Sequence, residues 1–450
     1  MIKTLAATLV IALGTMGTAY ADDLDDLDAL DELDSLEDGG SSGASGPKIL
    51  KGFASNESRY FFRDRDKGAT DEASIFEWQF ETEYNLGSTR LFLRPWFLVD
   101  AVDSDLQRYE PLEGYIDWTG ESWDFRAGQF IENWGIADTF NPLDVLNRTD
   151  TGVDPLAPQE LGEAGFRWRY HGDDGDVFGQ PVLALYLMPV FRETYFPTEE
   201  NRYSLSQSGA ELREDDAVTP EGEEAVFAAV RFGHTVDTDL MNGDFQYIAA
   251  RGPDKTPTLV TGLDAAGPYQ IPEYFGTEVV GGGFRAIPNG EWWSKLTLKT
   301  EVVHKKPYAI DGMTAPLPDD YTQYVVGFDR LVAPFMGDKD QLTMTLEYVG
   351  EEGADDVTAG FRPFQSDAVL RLFWEAGNFA RSSVELIGIW DVKNKESITE
   401  LEYKSQLRWV HDDLSLSVLA QLIEPAKSES TFFTFFPNNS NGRLRLQYDF

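Results

Sequence analysis

Four histidines, His171, His234, His304 and His411, are the side chains best suited to proton transfer near neutral pH. None stands beside a GxSxG serine, and no HExxH pair occurs. His304 lies three residues after Glu301, but a lone histidine near a carboxylate is more often paired or solvated than catalytic. With 0 Cys there is no disulfide framework and no thiolate ligand. Acidic runs at 221–224 and 351–356 could attract Ca²⁺ or Mg²⁺, yet they lack the DxDxDG spacing of a dedicated loop. No catalysis, cofactor or resident metal is expected.

The charged residues say more through their period. Phe76, Trp78, Phe80, Thr82 and Tyr84 alternate with Glu77, Gln79, Glu81 and Glu83, and Leu401, Tyr403, Leu407 and Trp409 alternate with Glu400, Glu402, Lys404, Gln406 and Arg408. Period two means strands with one apolar and one polar face. The segments run near ten residues, longer than a typical soluble strand and the length of a tilted membrane-crossing one. On the polar faces lie Arg90, Arg94, Arg126, Arg167, Arg169, Lys295, Lys299, Glu301, Arg371 and Arg408. Two readings stay open for them. They form a structural salt-bridge lining, or the run from Arg90 to Arg169 makes a positive wall whose transverse field orients polar solutes.

Alternating segments fall near 48–62, 73–85, 88–102, 110–118, 122–132, 160–171, 178–192, 223–236, 242–252, 272–287, 291–305, 320–333, 340–350, 364–376, 381–391, 398–410, 413–424 and 441–450. Short turns alternate with long connections, chiefly 133–159, 193–222, 253–271, 306–319, 351–363 and 425–440. That asymmetry predicts an all-β fold, a transmembrane antiparallel β-barrel of 18 strands with 16 as the alternative, and both termini on one side. A barrel of this size has room for a water-filled lumen, so inward faces should be polar. Mean hydropathy is −0.34 and no other stretch has the ~20 apolar residues of a membrane helix. The formal charge of −41 argues against a nucleic-acid partner.

Residues 1–21 read as a secretory signal peptide, with Lys3, an apolar core at 5–13 and Ala19-Tyr20-Ala21 before Asp22. Residues 22–46 form a separate unit, and the barrel occupies 47–450. Ten of the seventeen residues at 22–38 are acidic, with Leu24, Leu27, Leu30, Leu33 and Leu36 at a three-residue period. This is either a disordered acidic tail or a periplasmic segment that folds on a basic partner. A GGSSGASG linker at 39–46 tethers it.

The last residues alternate, Leu444, Leu446, Tyr448 and Phe450 against Arg443, Arg445, Gln447 and Asp449. A final strand ending in Phe resembles the assembly signal of Gram-negative outer-membrane barrels. The resemblance implies outer-membrane lipid and lipopolysaccharide as surroundings, with acidic loops near bridging cations, and the barrel-assembly machinery as a partner. The segment after the fifth strand, GQFIENWGIADTFNPLDVLNRTDTGVD at 128–154, is long for a connection, and Asn141-Pro142-Leu143-Asp144 looks like a turn into a short helix. In general porins the loop at this place folds inward and narrows the lumen. That resemblance implies a constriction lined by Trp134, Asp138, Asn141, Asp144, Asn147, Arg148 and Asp150; an external loop is the alternative. Gly128-Gln129, Trp134-Gly135, Asn141-Pro142 and Asp144 are also similar to an uncharacterised proteobacterial barrel family often found near RND-type exporters. That family has Arg before the Gln, where this chain has Gly128. The likeness implies a channel for small polar or amphipathic solutes in an export system, with the acidic tail docking an exporter's periplasmic part.

Overall fold

The computed structural model describes residues 48–63, 70–173, 175, 179–204, 210–290, 295–353, 364–426 and 438–450. The leader at 1–21 and the tail and linker at 22–46 lie outside them. Eighteen strands form one antiparallel sheet that closes on itself. In chain order the first nine are Lys48–Phe61, Glu72–Leu86, Thr89–Asp100, Gln107–Thr119, Trp123–Phe130, Glu163–His171, Val182–Met188, Phe227–Asp237 and Met241–Pro253. Gly276–Pro288, Leu296–Tyr308, Tyr321–Val332, Gln341–Glu352, Ser366–Glu375, Ser383–Asp391, Ser397–Gln406, Leu414–Glu424 and Asn441–Asp449 complete the cylinder. The seam joins first to last, from Phe53 opposite Asp449 to Phe61 opposite Asn441. Closure leaves no unpaired sheet edge running the length of the wall, which a bilayer would not tolerate.

Burial separates the two faces. Val302, Val326, Leu346, Leu401, Leu422 and Leu444 are exposed outward, whereas the alternating Glu301, Val325 and Glu347 are buried inward. Trp96 turns inward, is fully buried, and donates from Nε1 to Glu77 Oε1 at 2.8 Å.

Connections at one end are short. Leu86 pairs with Thr89 around Gly87-Ser88, and Gly87 has φ 63°, a left-handed value that glycine adopts without strain. Connections at the other end are mostly long, with 101–106 and 392–396 as the exceptions, and both described ends of the chain lie with the short turns. The strand expected over 178–192 is only Val182–Met188. Pro181 and Pro189 bracket it, and neither has an N–H for the ladder. Sequence patterning also missed small additions among the long loops: the pair Arg148–Asp150 with Gln159–Leu161, and the sheet of Glu211–Leu212, Pro268–Glu273 and Thr258–Leu263.

Candidate channel interior

The segment 131–162 enters the cylinder and crosses it. It leaves the fifth strand at Phe130, and the carbonyl of Trp134 accepts a bond from Gln246 Nε2 on the ninth. Its next turn is pinned by two wall carboxylates. Glu301 accepts the backbone N–H groups of Ile136, Ala137 (2.8 Å) and Leu143 (3.1 Å). Glu347 accepts those of Asp138 (2.8 Å) and Thr139 (3.1 Å). Asp138 reaches Lys299 Nζ at 2.7 Å, and Lys299 also holds Asp329 at 2.5 Å. The segment then runs to the seam, where Asp154 lies 2.5 Å from Arg443 and 3.8 Å from Arg59. Bonds between backbone N–H and an ionised carboxylate are worth roughly 1.5–3 kcal/mol each, so five of them hold this turn firmly.

Packing explains why the wall opposite is built from glycine. A side chain at Gly281 or Gly283 would come within 3.1 Å of Leu143 or 2.9 Å of Ile136. Trp134 is fully buried and meets Tyr186 edge-on at 5.1 Å. The short helix expected after Asn141 does not form. Asp144 N–H bonds Asn141 O at 3.0 Å in a single turn, and the N–H of Leu143 is already taken by Glu301.

The constriction candidates therefore divide. Asp138 is exposed, and Asn141 and Asp144 are half-buried. Trp134, Asn147, Arg148 and Asp150 are sealed in the packing and face no open lumen. Asn147 fixes the base of the loop, accepting Glu132 N–H at 3.1 Å and donating to Glu132 O at 3.0 Å. Arg148 bonds Glu110 at 2.5 Å and Asp150 takes Arg108 at 2.5 Å, both across to the fourth strand.

The expected wall arginines are paired. Arg90 meets Glu83 at 3.0 Å, Arg94 meets Glu113 at 2.7 Å, and Arg126 forks onto Asp117 at 2.7 and 3.0 Å. Arg167 and Arg169 share Asp124 with His171 at 2.9–3.0 Å, and Arg167 also bonds Glu132. Arg371 bonds Glu385 on the next strand. Lys295 and Arg408 sit in short turns instead of strands: Lys295 Nζ donates to Ala333 O, and Arg408 lies over Phe379. Period two ran past the true strand ends there.

Inward faces are not uniformly polar as expected. In the half nearest the long loops they carry Val303, Val325, Val349, Val369, Ile389, Ile398 and Ile423, all buried. Ala137, Phe140, Leu156, Tyr203 and Phe364 fill the space against six of them, from Val325 onward. The loops supply an apolar filling, so the wall there has no water to face.

Charge within the loop is tuned by its partners. Burial raises the Asp138 and Asp154 carboxyls, but Lys299 for the first and Arg443 with Arg59 for the second outweigh it and hold both low. Glu132, also opposed by burial, is brought down to about 2 by Arg167 and Arg126. Asp144 goes the other way: burial and then Glu160 push it well up. Among the described residues no cluster of three or more His, Asp or Glu side chains could hold a metal. His234 stacks on Phe245 on the outer face, and His304 bonds Thr322 outside, on the face opposite Glu301.

A closed cylinder with an apolar outer band and a charged interior is a membrane-spanning β-barrel of outer-membrane type. Neither a protein-family model nor a curated protein matches the sequence. Solved barrels do resemble it. OccK11 (OpdR) of Pseudomonas aeruginosa is 12% identical over 89% of this chain and 94% of its own, with a TM-score of 0.47. OccAB1 of Acinetobacter baumannii is 11% identical over 91% and 98%, TM-score 0.47. Wzi of Escherichia coli, an outer-membrane protein involved in group 1 capsule assembly and a carbohydrate-binding β-barrel, is 9% identical over 96% and 90%, TM-score 0.47.

Proposed function

We propose that this chain is an outer-membrane channel for small polar or amphipathic solutes, narrowed by the segment 131–162 and serving as the outer-membrane part of an export system. One observation carries the reading: the five backbone N–H groups of that segment held by Glu301 and Glu347, which set it across the lumen. Solutes would pass the half-buried and exposed polar groups of its turn, Asp138, Asn141 and Asp144, and then the paired arginines of the wall. The acidic tail, leaving from the short-turn side, would face the periplasm, and the last strand would be what the assembly machinery reads.

A second reading rests on the leucine period at 24–36: the tail is the working part and recruits a periplasmic or inner-membrane partner. Planar-bilayer recording separates the two. A chain starting at Pro47 is expected to conduct as the full one does. Loss of conductance with the tail, or of partner capture with conductance intact, transfers the function to the docking reading.

A further inference from the structure

The segment that crosses the lumen does not fill it everywhere. Between its residues Asp144 and Asn147 and the wall lies a cavity of about 80 Å³. Phe227, Thr277, Val279 and Lys305 bring the eighth, tenth and eleventh strands to it, and Asp254 and Lys255 come from the connection after the ninth. At about 10–15 Å³ for each water-sized position, it has room for roughly five to eight non-hydrogen atoms.

The lining holds two carboxylates, Asp144 and Asp254, and two ammonium groups, Lys255 and Lys305. Asp144 belongs to the crossing segment. Its hydrogen-bond partners are distant or of its own sign: Asn147 Nδ2 at 3.3 Å, and the carboxyl of Glu160. Glu301 also acts on it, but that carboxylate is occupied by three backbone N–H groups. Lys255 belongs to the wall side. One of its three N–H donors goes to Glu163 at 2.9 Å, and the other charged groups acting on it, Arg148 and Arg192, are cations. Its side chain is 14% exposed, so the ammonium is not sealed in the packing. Lys305 lies 4.0 Å from Asp254, whose oxygens already accept Thr256 N–H at 2.9 Å and Thr277 Oγ1 at 3.1 Å.

We propose that this cavity is a subsite for a small zwitterion, whose ammonium meets Asp144 and whose carboxylate meets Lys255 and Lys305, with its carbon chain on Phe227 and Val279. Both poles are short of opposite charge. Burial and then Glu160 push the Asp144 carboxyl up, and burial holds the Lys255 ammonium down against the pull of Glu163. A solute with one charge satisfies one pole and leaves the other as it was. An uncharged solute of the same size satisfies neither, whereas a zwitterion supplies charge-assisted bonds at both ends. The subsite deepens the channel reading and rests on it: a permeating molecule would pause here, beside the turn that Glu301 holds.

Vesicles carrying the full chain test it with labelled solutes of nearly one size: glycine, its uncharged analogue glycolamide, and the single-charge analogues ethanolamine and glycolate. Glycine uptake should saturate, and each of the other three should compete with it roughly tenfold more weakly than unlabelled glycine does. Asp144→Asn should bring glycine down to the level of glycolate, and Lys305→Met should bring it down to that of ethanolamine. Lys255→Met should act as Lys305→Met does; where uncovering Glu163 stops it folding, Lys305→Met decides. Equal competition by all the solutes overturns the subsite. So does an equal slowing of all of them in every variant, which would make the cavity mere width. Full competition by ethanolamine alone, or by glycolate alone, leaves a single pole and overturns the zwitterion. Vesicles that admit none of the solutes sink the channel reading and the subsite with it, whereas vesicles that admit all without preference sink only the subsite.

Discussion

In the half of the lumen next to the long loops, inward positions carry Val325, Val349, Val369, Ile389, Ile398 and Ile423, and loop side chains pack against them. In the half next to the short turns the same alternating positions carry Arg90, Arg126, Arg169, Arg371 and their acids. The strands are continuous through both halves, so strand formation does not distinguish them. What differs is the medium each half faces. Where chain fills the interior, burial favours aliphatic side chains at roughly 25 cal/mol per Å². Where water can enter, ion pairs across neighbouring strands cost little to keep solvated. On these strands loop placement and wall composition go together, whereas at the seam the loop docks through charge, Asp154 against Arg443 and Arg59.

The harshest way to break that contrast is to remove the filling. Deleting 133–159 should strip Ala137, Phe140 and Leu156 from the six aliphatic positions and raise single-channel conductance several-fold in planar bilayers. An unchanged conductance would mean the segment obstructs nothing. A milder intervention keeps the filling and cuts its attachment. Glu301→Gln with Glu347→Gln should cost the docked turn about 2–4 kcal/mol in charge-assisted bonds. Amide exchange at Ile136, Ala137, Asp138, Thr139 and Leu143 should then accelerate together, while wall amides stay protected. Exchange confined to one of the two groups would show that the carboxylates act separately.

The smallest effect expected comes from acid. Asp138, Asp154 and Glu132 are held below their ordinary range in the folded protein, so their contribution is complete above the unfolded carboxylate pKa of about 4. It fades as pH falls toward about 2, the Glu132 value. Conductance should stay flat from neutrality to mild acid and rise only at the bottom of that window. A rise already complete above the unfolded carboxylate pKa would point instead to a group such as Asp144, whose carboxyl burial and Glu160 push up.

The architecture was legible because its signal repeats eighteen times. Each strand carries period two, and most turns on each side keep one length class despite 101–106, 172–181 and 392–396, so errors at Pro181, Pro189 or Arg408 did not change the count. The interior was legible only in part. Alternation says that Glu301 points inward, but not that it receives three N–H groups from a segment more than a hundred residues earlier. Nor does it separate a wall residue facing water from one facing loop, since Val325 and Arg371 occupy equivalent positions. Gln246 and Tyr186 were missed altogether, because each pairs with a residue of the distant segment 131–162, Trp134 for the first and Glu132 for the second. The glycines 281 and 283 were the available clue, because small residues in a strand often mark a close approach by something else.

The seam has a consequence for how such a molecule comes into being. The first strand ladders with the last, and the ring of Phe450 lies across Gly52, where even a Cβ would meet it at 2.6 Å. Neither strand can satisfy its outer hydrogen bonds until the other arrives from the far end of the chain. Contacts of such long range make folding slow. Until then both edges are adhesive, as any unpaired strand is. Sealing is therefore the last event at this wall, and the side-chain-free spot at Gly52 acts as the keyhole into which the final aromatic turns.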